Sequence, residues 1–162
     1  MICKLPQPEG QTMHLKDYLP ESHILHNLQG KQKIEIIEEL LDLMLKLRLI
    51  NDYELALNDI LSREGYLSTG LENGLAIPHA KTKSTDKLAM VFGLKQSGVE
   101  FETLDGKPAH LIFLVLSPVD TSGPHIQALA LISRNLKEVA NREKIKKAKS
   151  AAEIADVFAK FK

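Results

Sequence analysis

His79 is the residue in this chain best placed to do chemistry. It closes the stretch Gly70-Leu71-Glu72-Asn73-Gly74-Leu75-Ala76-Ile77-Pro78-His79, in which a glycine-rich turn leads into a short apolar run and a proline. Pro78 fixes its own φ and holds Ile77 extended, so the histidine leaves the run along a stiff path. Gly70 and Gly74 let backbone amides approach an anion closely. Arg63 lies just upstream; its planar fork of donors can grip a phosphate in two places, or satisfy carbonyls at a helix C-terminus. Ser68 and Thr69 would be nucleophiles only with an activating base beside them, and read better as hydrogen-bond partners of His79 or of phosphate. His125 follows Pro124, a residue suited to the first position of a helix. In a first turn the helix dipole disfavours imidazolium and favours a nearby anion, so a neutral His125 can donate to a phosphate oxygen. Taken together, these residue types point to phosphoryl chemistry on an imidazole.

The other candidates are weaker. His23 and His26 could pair as metal ligands, but no third ligand stands near them, and no carboxylate or cysteine sits at ligand spacing with His79 or His125. A metal hydrolase is therefore disfavoured, and no metal or other cofactor is expected. His110 opens an apolar run and reads as structural. The formal net charge is zero, so no overall field recruits nucleic acid or an anionic membrane; the cluster Lys144, Lys146, Lys147 and Lys149 reads as a solvated helix face. A single cysteine, Cys3, rules out a disulfide within the chain and suits a reducing cytoplasm. No apolar run approaches the length of a membrane span.

The elements that must position these residues follow from patterning. Met1 to Thr12 reads as a mobile lead, and residues 13–162 as one domain. A short strand is expected around Ile24 and Leu25. Lys31 to Leu49 has apolar residues at helical spacing, among them Ile34, Ile37, Leu41 and Met44. Asn51, with Glu54 three residues on, predicts the capped start of a second helix, with Gly65 as its stop and Arg63 near its C-terminus. Strands are expected at Leu75 to Ile77, Leu88 to Leu94 and, more briefly, Val99 to Phe101. Asp105-Gly106 reads as a turn. His110 to Leu116 is the strongest strand and should be central. Pro124 then starts a helix with a stripe of Ile126, Leu129, Ile132 and Leu136. A basic helical stretch begins near Arg142, and Ser150 to Glu153 forms a capping box for a last helix that buries Ile154, Val157, Phe158 and Phe161. The fold class is α/β, with a single mixed sheet flanked by helices on both faces.

The motif Arg63-Glu64, Ser68-Thr69-Gly70, Asn73-Gly74 and Ala76-Ile77-Pro78-His79 resembles the phosphorylation site of the IIA component of the phosphoenolpyruvate-dependent sugar phosphotransferase system. The subgroup is the fructose/mannitol type, which includes the nitrogen-regulatory IIA proteins. The similarity continues through Phe101, Asp105-Gly106-Lys107-Pro108, the strand at His110 to Leu116, and His125, covering about Leu15 to Phe161. It implies that His79 accepts a phosphoryl group from the phosphohistidine of the carrier HPr. His79 would then pass it to a cysteine of a IIB domain, or hold it as a regulatory mark. Arg63 and His125 match the family's other active-site residues. Glu72 departs from the pattern, because many members carry a small residue there; its carboxylate is expected to face solvent. Leu71 and Leu75 are candidates for an apolar partner-binding surface, and equally for the core. The implied protein is a cytoplasmic phosphotransferase component, and transport and regulation both stay open, as does the choice of ring nitrogen.

Overall fold

The computed structural model describes residues 12–162. The lead expected over residues 1–12 lies, except for Thr12, outside the described residues, as does Cys3. The longest apolar run forms the middle of the sheet. β5 (Ala109–Ser117) pairs antiparallel with β4 (Ala89–Val99), with Phe92 opposite Phe113 and Val91 opposite Leu114. β1 (Ile24–Leu25) adds parallel to β4. On the other side of β5 lie two short parallel strands, β2 (Leu75–Ala76) and β3 (His79–Lys81). The order β1-β4-β5-β2, with β3 also on β5, gives one mixed five-stranded sheet.

Side chains alternate across β5, and the two faces meet different helices. Leu111, Phe113 and Val115 join a cluster with Ala128, Ile132, Ile145, Ile154 and Phe158. These come from α3 (Gly123–Leu136), α4 (Val139–Lys147) and α5 (Ala151–Ala159). Phe92, Phe113 and Phe158 form the centre of that layer, with ring centroids 4.7 to 5.6 Å apart. Ile112, Leu114 and Leu116 face the opposite way, onto α1 (Lys33–Lys46) and α2 (Tyr53–Tyr66), against Ile36, Ile37, Leu40, Met44, Ala56 and Ile60. Both faces of the sheet are thus covered, which is why its central strands read as continuous apolar runs.

Several expectations shift in detail. The cap of α2 is Asp52, whose Oδ1 accepts from the Leu55 amide at 3.1 Å, while Asn51 lies one residue before it with its amide on the Ser84 carbonyl. Gly65 does not stop α2; it lies in the last turn, and the chain becomes extended at Leu67. Leu88 to Leu94 and Val99 are one strand rather than two, with an irregularity between Leu94 and Val99 where Gly98 takes φ 76°; Glu100 and Phe101 lie outside it. α3 starts at Gly123, one residue before Pro124, so His125 is the third residue of the helix. One arm of the α5 capping box forms, Ser150 Oγ accepting from the Glu153 amide; the other shifts by a residue, with Glu153 Oε2 accepting from the Lys149 amide in place of the Ser150 amide.

Candidate functional site

The sheet topology brings His79 and His125 together. His79 does not merely follow a strand; it begins β3, paired with Val115 in the middle of the protein. Paired residues on neighbouring strands share a face, so His79 and Lys81 lie on the α3 side with Val115 and Ser117. α3 starts just beyond the end of β5 and sets His125 in its first turn, only 7% exposed. The two imidazole rings lie 5.4 Å apart, tilted by 58°. Arg63 comes from the last turn of α2, on the other side of the sheet. These elements enclose a cleft of about 370 Å³ lined by Asp59, Arg63, His79, Ala80, Lys81 and His125. It opens at the carboxyl ends of the parallel pair β3 and β5, where open α/β sheets commonly bind ligands.

Each histidine has one ring nitrogen fixed. His79 Nδ1 donates to the Ile77 carbonyl at 2.6 Å, and since a carbonyl only accepts, the proton must sit on Nδ1. Nε2 of a neutral His79 therefore carries the free electron pair. Burial pushes the ring's pKa below the ordinary 6.5; the Ile77 bond opposes this, the Arg63 guanidinium reinforces it, and Glu64 opposes it. His125 Nδ1 is hydrogen-bonded to the hydroxyl of Ser117. Burial, reinforced by His79, Lys81 and Arg63, lowers its pKa to about 4. Both rings are held neutral, and in each the second nitrogen has no hydrogen-bond partner among the described residues.

The remaining expected site residues serve the scaffold. Arg63 Nη1 donates to the Leu67 carbonyl at 3.0 Å, so it satisfies the end of α2 while lining the cleft. Ser68 and Thr69 do not bond to His79. Ser68 Oγ donates to the Phe101 carbonyl at 2.6 Å and accepts from the Gly70 amide. Thr69 donates both its amide and its hydroxyl to Glu64, at 2.8 and 2.6 Å, and Lys33 Nζ meets the same carboxylate at 2.5 Å. Burial raises the pKa of Glu64, but the hydrogen bonds from Lys33 and Thr69 outweigh it and hold the carboxylate below its usual range.

Neither glycine lines the cleft. A Cβ on Gly70 would sit 2.6 Å from the Phe101 carbonyl oxygen, and Gly74 needs φ 75° to turn into β2, where its carbonyl accepts from the amides of His110 and Leu111. Glu72 is exposed, as expected. Leu75 is buried and belongs to the core, while half-buried Leu71 packs against it; both line a shallow groove with Leu104 and Leu136, apart from the residues of the His79 cleft. His23, His26 and His110 bond to backbone carbonyls of Met90, Ala148 and Lys95. Among the described residues, no group of three His, Cys, Asp or Glu side chains is arranged to hold a metal, and no helix is long and apolar enough to cross a membrane.

Lys81, Asp59 and Ser117 are not singled out from the sequence, and Glu64 is named only as part of the motif. Lys81, two residues after His79, shares its face only because β3 is a strand. Asp59 lies one helical turn before Arg63, a spacing that was visible in the sequence. Ser117 and the buried Glu64 depend on tertiary partners.

The family model "Phosphoenolpyruvate-dependent sugar phosphotransferase system, EIIA 2" matches residues 17–161. The chain belongs to this family. The IIA chain is 39% identical over 123 residues to the "PTS system fructose-specific EIIA component" of Haloferax volcanii, covering 76% of itself and 80% of that protein. It is 35% identical to the "PTS system fructose-specific EIIABC component" of Bacillus subtilis over 90% of its own length, which spans only 23% of that larger protein. Among solved structures, the nitrogen regulatory protein IIA-Ntr of Neisseria meningitidis matches with a TM-score of 0.82 at 28% identity, covering 89% of the IIA chain and 98% of that protein. A phosphoryl-carrier or regulatory IIA role, in a system that uses phosphocarrier partners, comes with the family.

Proposed function

We infer that His79 is the phosphoryl acceptor and that Nε2 is the atom that bonds to phosphorus. The observation that carries this is the bond from His79 Nδ1 to the Ile77 carbonyl, which leaves the Nε2 electron pair in the cleft beside Arg63 and His125. An HPr-like phosphocarrier presents its phosphohistidine. Nε2 attacks in line, the donor's P–N bond breaks, and its electron pair returns to the donor imidazole. The Nδ1 proton stays in place, and the Ile77 carbonyl meets the positive charge that the ring develops. Arg63 and His125 stabilise the charge spread over the equatorial oxygens. Acceptance needs a neutral ring, and the depressed pKa of His79 supplies one.

The group then moves to a cysteine of a IIB domain for sugar uptake, with fructose the first sugar to test given the name of the Haloferax relative. A cytoplasmic setting follows from these partners. The exposed apolar residues Leu67, beside Arg63, and Ile126, beside His125, give the partner a surface at the rim of the cleft. The second reading, a regulatory module whose partner binding is switched by the charge on His79, is supported by the likeness to IIA-Ntr. The test is incubation with phosphoenolpyruvate, enzyme I and HPr, followed by measurement of acid-labile phosphate, with candidate IIB acceptors added. Labelling of wild type and none of His79→Ala is expected; undiminished labelling of His79→Ala sinks the assignment.

A further inference from the structure

Ser117 ends β5 with its side chain wholly buried, at 0% exposure. Its hydroxyl has one hydrogen to place. Among the described residues the only hydrogen-bond partner of Ser117 Oγ is His125 Nδ1. Were Nδ1 protonated, it would donate to Oγ, and the serine hydrogen would be left in the core without an acceptor, at the full desolvation cost of an unmade bond. The arrangement that satisfies both groups has Ser117 donating to an unprotonated Nδ1. The proton of neutral His125 then sits on Nε2. No buried side-chain nitrogen or oxygen among the described residues lacks a partner, so Nε2, which has none among them, is open to the cleft.

We propose that Ser117 is a positioning residue: its buried hydroxyl fixes His125 in the Nε2–H tautomer, so that this ring donates to the phosphoryl group on His79 and cannot compete with His79 as a nucleophile. The two neighbouring imidazoles thereby receive opposite tautomers from opposite partners. A carbonyl puts the proton of His79 on Nδ1 and frees Nε2 to attack. A hydroxyl takes the proton of His125 off Nδ1 and makes its Nε2 a donor. With both rings in one tautomer, the pair would offer two nucleophiles or two donors, and neither arrangement suits transfer. The same hydroxyl also opposes an imidazolium at His125, because a doubly protonated ring has no acceptor for the serine hydrogen.

The inference rests on the phosphocarrier reading for its consequence, but its first test does not. Long-range proton–nitrogen correlation spectra of the unphosphorylated, nitrogen-15-labelled protein report the tautomer of each histidine. A pyridine-like Nδ1 and pyrrole-like Nε2 at His125 are expected, with the reverse at His79; a pyrrole-like Nδ1 at His125 in folded wild type overturns the proposal whatever any variant does. Ser117→Ala should give mixed tautomers at His125 and slow phosphorylation of His79 by about tenfold, the lower end of what losing an orienting partner costs a ligating histidine. Half-saturation by the donor should not change. Ser117→Thr, which keeps the hydroxyl, should restore both. If Ser117→Ala leaves the tautomer unmoved, or moves it without slowing transfer, Ser117 does not position His125. If wild type takes no phosphate at all, the phosphocarrier reading fails while the tautomer measurement still decides the role of Ser117.

Discussion

Acidification should unfold this protein in part through His125. The ring's pKa is about 4 in the fold against an ordinary 6.5, so between those values the unfolded chain binds a proton that the folded chain refuses. Stability then rises with pH across that window and falls as the medium is acidified through it. The full difference corresponds to ~3 kcal/mol, of which roughly 2 kcal/mol should be lost between about pH 7.5 and about pH 5, above the range where most carboxylates titrate. His125→Gln removes the titrating ring but leaves an amide oxygen that can accept from Ser117. Urea unfolding of both proteins at the two pH values isolates the term, since the other groups titrate in each. With a urea slope of about 2 kcal/mol per molar, the wild-type midpoint should fall by about 1 M more than that of the variant. Parallel curves, or a wild-type protein that gains stability on acidification, would refute the claim that His125 is held neutral.

Other perturbations separate the chemistry from the scaffold. Arg63→Lys keeps the charge but loses the fork, and should slow phosphorylation of His79 by roughly 10- to 100-fold with an unchanged circular dichroism spectrum; wild-type rates would remove Arg63 from the mechanism. Glu64→Ala leaves Lys33 and two Thr69 donors without their shared partner, and should cost about 3 kcal/mol in urea unfolding, limited by the freedom of Lys33 to turn to water. Gly70→Ala places a methyl 2.6 Å from the Phe101 carbonyl oxygen, so a loss of about 2 kcal/mol is expected, and a melting temperature equal to wild type would contradict it.

Much of the architecture can be read from the chain because most elements announce themselves locally. The run at His110 to Leu116 is apolar on both faces, as a strand covered on both sides must be. The spacing in α1 and the Ser150–Glu153 box need no tertiary information. What escapes is what other segments impose. Three residues, His-Ala-Lys, have no strand pattern of their own, and β3 exists because β5 offers it a partner. Gly65 looks like a stop, yet a helical glycine costs only about 1 kcal/mol and the turn around it continues to Tyr66. Asn51 resembles a cap, yet its neighbour Asp52 takes that place, and the Asn51 amide goes to the Ser84 carbonyl. At the site, residue types suggested His79, Arg63 and His125, and the fold places all three around one cleft. The glycines and hydroxyls next to them in sequence looked like phosphate ligands, but Ser68, Thr69 and Gly70 hold the loop against Phe101 and Glu64, and the Gly74 carbonyl accepts from the amides of His110 and Leu111.

The Ile77 carbonyl has a genetic consequence. It belongs to the main chain, so it is present whatever side chain occupies position 77, and no codon change there deletes it. A mutational screen for lost phosphoryl transfer would recover His79 at once and pass over its proton-holding neighbour. Because the Ile77 side chain is buried in the core, any hit at that position would report lost packing and not a lost carbonyl. Disturbing that carbonyl takes a change in chain path, and the substitutions that do so would register at Pro78, which lies between the two short strands and has no amide to add to the ladder.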